Sequence, residues 1–374
     1  MSTTSPLSRC ATVVLGDSVD RYMNAFIRDI GQDEGRPVPH NSSGAGFRAL
    51  SGPSPGATLD GRYKLVELLG YGGMGAVWRA RDLHLGRTVA LKTASLPNDA
   101  ERRRFVREAR ICSRIRHRNI VEIYDARSIA EETAYYTMEL VEGRDLSTIL
   151  EEESLGISVL VMILQQVAAA LYRVHEAGVV HRDVKPGNVV IDESASSSDG
   201  VRCKLVDFGL AAELWSGHES GSDFERDYIS MSGQFMGTPQ YMSPEQIQGA
   251  ALDHKSDIYG FGCLAYEVLT GAPPFVAESM HDVLQMHLYT QPEPIPAVAL
   301  DRLPVTAGVE LEAIVMRCLA KRVDERPASM LEVRRVLGAL ETFERRGGDG
   351  GGHPPVSEGC KACAPSESSA QWEQ

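Results

Sequence analysis

The sequence predicts an α+β fold of two lobes, a small β-rich lobe carrying one key helix and a larger lobe that is mainly helical. Two observations predict the lobes. Between Tyr63 and Glu139, short strand-like runs recur around a glycine-rich turn, broken by a single stripe at helical spacing. After Gly143 the apolar spacing becomes helical and stays so to Phe343. A third observation sets the limits. Pro37 to Pro55, and the chain from Gly347 onward, are rich in small and polar residues with few large apolar ones, so neither can bury enough surface to order itself. The expected organisation is an extension over 1–60, a two-lobed body over 61–343 with the lobes meeting near 141–142, and a tail over 344–374.

The elements follow in order. Within the extension, Thr12 to Ile30 shows a weak helical pattern at Val19, Met23, Phe26, Ile27 and Ile30; it reads either as a short docking helix or as no element, the second favoured because isolated helices are marginal in water. Tyr63–Leu69 and Ala76–Arg81 read as strands flanking the glycine turn, and Thr88–Lys92 as a third. Phe105, Ala109, Cys112 and Ile115 place a helix over Glu101–Arg116. Asn119–Tyr124 and Ala134–Glu139 read as two further strands. In the second lobe Val159–Glu176 is a long helix stopped at Gly178. Later helices are expected over Asp257–Thr270, Met280–Leu288, Glu310–Ala320 and Met330–Phe343.

Charge and cysteine usage narrow the function classes. With 38 basic against 51 acidic residues the net charge is −13, the wrong sign for a protein whose main partner is nucleic acid. Seven scattered cysteines do not form a secreted disulfide framework. Cys360 and Cys363 make a C-x-x-C in the tail, but His353 is the other nearby ligand and zinc needs four, so they read as incidental thiols. The most apolar stretch, Ile157 to Val174, contains Gln165, Gln166 and Arg173 and reads as a buried helix and not a membrane span. No basic start followed by an apolar run marks a secretory signal, and a cytoplasmic location is the default expectation.

Four segments carry chemistry. Gly70-Tyr71-Gly72-Gly73-Met74-Gly75-Ala76-Val77 lies between two strands, where glycines let backbone approach phosphate oxygens. The turn leads into a strand and not a helix, which disfavours a dinucleotide site. Lys92 ends the apolar strand Val89-Ala90-Leu91-Lys92 and can reach the same phosphates. It needs an anionic partner to fix it, and Glu108 on the following helix is the expected one. His181-Arg182-Asp183-Val184-Lys185-Pro186-Gly187-Asn188 is the strongest signal. Transfer of a phosphoryl group to a hydroxyl needs a carboxylate to orient the nucleophile, a cation near the moving group and oxygen ligands for a metal. Asp183, Lys185 and Asn188 supply all three within one loop. Asp207-Phe208-Gly209 then places a carboxylate on a turn after the apolar run Cys203–Val206, as suits a metal ligand.

In this order the segments resemble the eukaryotic-like, or Hanks-type, protein kinase family over about Tyr63 to Phe343. Gly237-Thr238-Pro239-Gln240-Tyr241-Met242-Ser243-Pro244-Glu245-Gln246 makes the resemblance closest to bacterial serine/threonine kinases. The resemblance implies the two-lobed protein-kinase fold, ATP as phosphate donor, Mg2+ or Mn2+, and protein substrates with Ser/Thr acceptors. Leu69, Gly70, Tyr71, Gly72, Gly73, Met74, Gly75, Ala76 and Val77 would cover the nucleotide. Ala90 would line the adenine pocket, Met138 would be the gatekeeper, and Glu139 to Val141 the hinge. Lys92 and Glu108 would form an ion pair, Asp183 would be the base, Lys185 would steady the γ-phosphoryl, and Asn188 and Asp207 would bind the metal. Asp257 would brace the catalytic loop, and Glu245 with Arg326 would form a buried pair.

The departures are local. Ser243-Pro244-Glu245 replaces A-P-E, Glu193–Gly200 is longer and richer in serine than usual, and the segment Asp207–Glu245 carries a polar insert over Trp215–Asp227. By the same resemblance, Ser230 and Ser232 stand where an autophosphorylation pair would, and Thr238 is the further candidate. Arg182 would meet the new phosphate, the arginines of the helix that carries Glu108 read equally as a solvated basic face or as further partners of that phosphate, and a homodimer would serve phosphorylation in trans. The competing reading is a pseudokinase scaffold that binds nucleotide without transfer; it predicts loss of Lys92, Asp183 or Asp207, and all three are present.

Overall fold

The computed structural model describes residues 54–347, apart from 73–74, 97, 130–132, 195–199 and 209–237. Gly73, Met74, Gly209, Ser230, Ser232, the insert Trp215–Asp227 and both cysteines of the tail lie outside the described residues, as does most of the extension.

The first lobe is a six-stranded antiparallel sheet with one helix. Its strands are β1 (Thr58–Leu59), β2 (Tyr63–Gly72), β3 (Gly75–Asp82), β4 (Arg87–Ser95), β5 (Ile123–Ile129) and β6 (Thr133–Met138), in the order β1-β2-β3-β4-β6-β5. Alternation along the strands divides the lobe's apolar residues. Tyr63, Leu65, Ala76, Trp78, Ala80, Val89 and Leu91 form a cluster on one face, while Leu69, Val77 and Ala90 join the main core on the other. Helix α1 (Asp99–Cys112) covers that second face with Phe105, Val106, Ala109 and Cys112 buried. It starts two residues before the expected position because the Asn98 side chain accepts from the Ala100 N–H, satisfying an orphan donor.

Two expectations shift here. Asn119–Val121 is not a strand of this sheet: Ile120 forms an isolated parallel bridge to Leu205, and the Asn119 amide donates to Gln166 and to the Cys203 carbonyl. The strand begins at Ile123, and these preceding residues tie the first lobe to the second. The sheet also gains β1, since the Leu65 N–H donates to the Ala57 carbonyl at 2.8 Å and draws the chain before residue 61 onto the edge.

The second lobe opens with β7 (Gly143–Asp145) and α2 (Leu146–Glu152), then α3 (Ile157–Glu176). α3 is long and apolar enough to cross a membrane by composition, but ten of its residues are buried inside the lobe. Each buried Leu, Ile or Val there contributes about 1.5–3 kcal/mol through removal from water. Strands β8 (Val189–Asp192) and β9 (Cys203–Leu205) form with β7 a three-stranded sheet in the order β7-β8-β9; of these the sequence marks only the apolar run before Asp207, because β7 and β8 are too short for alternation to register. The remaining helices are α4 (Pro244–Ile247), α5 (His254–Thr270), α6 (Met280–Tyr289), α7 (Val305–Cys318) and α8 (Met330–Gly347). α5 stops at Gly271, whose φ of 83° only glycine adopts without strain.

Candidate active site

The groups expected to carry the chemistry converge because β8 and β9 pair. Val189 lies opposite Leu205, so Asn188 just before β8 and Asp207 just after β9 emerge side by side. The Val206 N–H donates to the Asn188 carbonyl at 2.9 Å and fixes this register. The loop before β8 carries Asp183 and Lys185 to the same place. Lys185 Nζ lies 2.9 Å from Asp183 Oδ2 and donates to Thr238 Oγ1 at 2.9 Å. Asn188 Nδ2 donates to both the carbonyl and the carboxylate of Asp183, at 2.7 and 2.8 Å.

These contacts set the charge on Asp183. Burial would raise its pKa, but the Lys185 ammonium and the hydrogen bonds from Lys185 and Asn188 outweigh it and hold the carboxyl below its ordinary value. The side chain remains 30 % exposed, enough for an incoming hydroxyl to reach it.

Asp257 braces the loop from α5. Its Oδ1 accepts from the Arg182 N–H and its Oδ2 from the His181 N–H, both at 2.7 Å, and His175 Nε2 meets Oδ2 at 2.8 Å. The loop backbone is strained at Arg182, where φ is 70°, and the two amide bonds are what stabilise that conformation. Burial tends to raise the Asp257 pKa, yet His175 and His181, through its amide, lower it on balance. His181 in turn packs its ring 5.1 Å from Phe208 and meets the Val206 carbonyl at 3.1 Å, and its burial lowers its pKa so that it stays neutral.

From the first lobe, β4 delivers Lys92. Its ammonium pairs with Asp207 Oδ2 at 2.8 Å, with the lysine 23 % and the aspartate 15 % exposed. This corrects the expected Lys92–Glu108 pair. Glu108 is buried on α1, and the nearer anion for Lys92 is the carboxylate after β9. Asp207 is itself held in a left-handed conformation with φ at 56°, which turns its side chain toward the first lobe. Its Oδ1 accepts from the Tyr136 hydroxyl at 3.3 Å. Tyr136 was not foreseen: a tyrosine in an apolar strand gives no signal beyond core packing, and its role follows only from lying opposite Lys92 in the β4–β6 register.

The described residues expected to cover the nucleotide lie on β2 and β3, with Ala90 on β4 and Met138 at the end of β6. Gly70 pairs with Val77, Tyr71 with Ala76 and Gly72 with Gly75, so the glycine segment is a hairpin end. At Gly75, with φ at 151°, a Cβ would sit 1.9 Å from the Thr93 carbonyl oxygen, so no other residue fits. Leu69, Val77, Ala90, Met138 and Val141 are buried together in the core that continues between the lobes, whereas Ala76 points to the opposite cluster and Tyr71 is exposed. Glu139 ends β6 by donating its N–H to the Glu122 carbonyl and pairing its carboxylate with Lys204, both at 2.9 Å or less.

Asn188 and Asp207 suit a hard divalent cation. The Asn188 NH2 group is committed to Asp183, which leaves its amide oxygen as the available donor, and Asp207 supplies carboxylate oxygen. An all-oxygen pair fits Mg2+ or Mn2+ and not a thiophilic metal.

Farther out, Glu245 and Arg326 form the expected buried pair, with Arg326 Nη1 to Oε1 at 2.7 Å and Nη2 to Oε2 at 2.9 Å. Ser243 proves to be more than a small substitute. Its hydroxyl accepts from the Gln246 N–H and its own N–H donates to Gln246 Oε1, a capping box that starts α4. Gln246 Nε2 then donates to the Arg182 carbonyl at 2.9 Å, tying α4 to the catalytic loop.

Residues 63–336 match the protein kinase domain family. The chain belongs to the protein kinase family. The chain is 36% identical over 295 residues to the serine/threonine-protein kinase pkn3 of Myxococcus xanthus, an alignment that takes in 78% of this chain and 52% of pkn3. It is 37% identical over 293 residues to the serine/threonine-protein kinase PknB of Mycobacterium tuberculosis, covering 76% of this chain and 44% of PknB. The chain thus spans about half the length, or less, of these relatives. The crystal structure of the Mycobacterium tuberculosis PknI kinase domain superposes with a TM-score of 0.56 at 27% identity, covering 77% of this chain and 99% of that one. These likenesses agree with the Hanks-type resemblance and establish the two-lobed kinase fold.

Proposed function

We propose that this chain is a serine/threonine protein kinase that moves the γ-phosphoryl of ATP to hydroxyls of proteins. The observation that carries the reading is the meeting of Asp183, Lys185, Asn188, Lys92 and Asp207 between the lobes, a set complete for phosphoryl transfer.

The roles follow from the contacts. The glycine hairpin lies over the phosphates with its backbone amides, and Lys92 neutralises their charge. Asp183 orients the acceptor hydroxyl and takes its proton as the oxygen–phosphorus bond forms and ADP departs. Lys185, held between Asp183 and Thr238, lies where charge builds on the moving phosphoryl. Asn188 and Asp207 are the residues that would hold Mg2+ or Mn2+, which when bound offsets phosphate charge and fixes the geometry of the triphosphate.

Further parts of the reading concern regulation and setting. Autophosphorylation at Ser230 or Ser232 raises activity, in trans within a homodimer, and the protein acts in signal transduction in the cytoplasm. Thr238 is less suited to modification, because its hydroxyl is engaged by Lys185.

The test is transfer of label from γ-labelled ATP to a generic protein acceptor with magnesium, followed by phosphosite mapping. Incorporation that disappears in Lys92→Met and Asp183→Asn supports the assignment. Nucleotide binding with no transfer by the parent would favour the scaffold reading.

A further inference from the structure

The outer face of α1 carries a feature that phosphoryl transfer does not use. Arg103, Arg107 and Arg110 recur at helical spacing along it, Arg114 follows in the turn just after the helix, and the four border a cavity of about 510 Å³. Val106 and Ile111, the latter 41 % exposed, are its apolar lining, and Ser128 of the edge strand β5 also borders it. Arg103 pairs with Asp99, but Arg107, Arg110 and Arg114 make no ion pair with any described residue. In a chain of net charge −13, a row of exposed arginines around an apolar groove is an unmatched surface. The groove has the size and the mixed character of a site for an amphipathic acidic helix.

We infer that the occupant is the chain's own segment from Asp17 to Glu34, docked as a helix in the groove between α1 and β5. Three observations favour it over the other segments outside the described residues. Its apolar residues, Val19, Met23, Phe26, Ile27 and Ile30, fall on one helical face, which neither the tail nor the insert Trp215–Asp227 offers. Its acidic residues, Asp17, Asp20, Asp29, Asp33 and Glu34, outnumber Arg21 and Arg28 and complement the arginine row. Its tether has the right reach. The Gly/Ser/Pro-rich stretch from Gly35 to Ser54 spans about 22–27 Å as a flexible chain. The sheet from β1, where the described chain starts, to β5 at the opposite edge is about 24 Å wide at ordinary strand spacing. A tether of that length keeps the segment at an effective concentration in the millimolar range, so even a weak helix-in-groove contact is populated.

Docking would clamp α1, and with it Glu108 and Phe105, against the sheet. That consequence rests on the kinase reading; the docking itself does not.

Hydrogen–deuterium exchange on the full chain without nucleotide tests the inference independently of transfer. Residues 17–34 and 101–114 are expected to exchange at least about tenfold more slowly in the parent than in Arg107→Glu/Arg110→Glu and in Phe26→Asp/Ile27→Asp. Protection of residues 157–176 serves as the control that the fold is intact in both variants. The inference is overturned if residues 17–34 exchange at the unprotected rate in the parent, or if their protection survives both pairs of substitutions. Protection that vanishes on roughly hundredfold dilution would overturn the intrachain occupant in favour of a second copy.

Discussion

Lys92 and Asp207 meet at 2.8 Å across the two lobes, one from the end of an apolar strand and the other from a turn in left-handed conformation. In the proposed function the pair joins the cation that would face phosphate to the carboxylate that would hold the metal. Replacing Lys92 with Met should lower kcat by about 10^2–10^3-fold, as loss of one preorganised charge at a reacting centre does. Steady-state kinetics with a protein acceptor checks this.

Asp183→Asn should reduce kcat by about 10^2–10^4-fold while leaving nucleotide affinity near that of the parent. Lys185 and Asn188 keep the Asp183 carboxyl ionised below its ordinary range. The activity of the parent should therefore show no acid limb from Asp183 between about pH 5 and 8. A limb in that window that survives correction for unfolding would contradict the charge assignment.

Gly75→Ala should cripple the hairpin. The new Cβ would meet the Thr93 carbonyl oxygen at 1.9 Å on a backbone with φ at 151°. Relief requires β3 to part from β4, and the strain alone costs about 1–3 kcal/mol. Nucleotide binding by calorimetry should weaken, with the melting temperature falling as well.

The Glu245–Arg326 pair should behave as a unit. Arg326 is fully buried and also donates to the Ala320, Lys255 and Lys321 carbonyls, so Arg326→Met leaves a buried carboxylate and several acceptors unmet. Destabilisation of about 3–5 kcal/mol is expected from either Glu245→Gln or Arg326→Met, and much less than the sum from both together. Urea unfolding of the four proteins measures the coupling.

His287 sets an acid limit on stability. It is fully enclosed, with Nδ1 2.9 Å from the Tyr259 hydroxyl. Burial first, and the Lys321 charge second, lower its pKa from 6.5 to about 3. Between these values the unfolded chain binds a proton that the folded one does not, so stability falls as pH drops from about 6.5 toward 3, by at most about 1.4 kcal/mol per pH unit from this group. His287→Phe should flatten that slope in urea melts; an unchanged slope would show that other groups set it.

The chemistry-bearing residues were legible because each motif is local. A glycine hairpin, a lysine closing a strand and a loop with Asp183, Lys185 and Asn188 announce themselves within a few residues, and the structure places these groups together. The partners were less legible. By sequence Glu108 is the natural anchor for Lys92, since its helix follows the strand, but the contact is decided by where β9 delivers Asp207. Tyr136 and His175 carried no sequence signal at all, since an aromatic in a strand and a histidine near a helix end look like ordinary core residues. Ser243 looked like a neutral exchange until its capping box and the Gln246 bond to Arg182 came into view.

By itself the sequence determined the two lobes, their order and the residue types available for phosphoryl transfer, because periodicity and short motifs are fixed by neighbours along the chain. The tertiary structure decided which anion meets Lys92, how Asp257 stabilises the strained loop, and that α1 turns a row of arginines outward beside an edge strand. Those outcomes depend on strand register and on how the lobes pack, which bring together residues many tens of positions apart, and no local pattern encodes such distances.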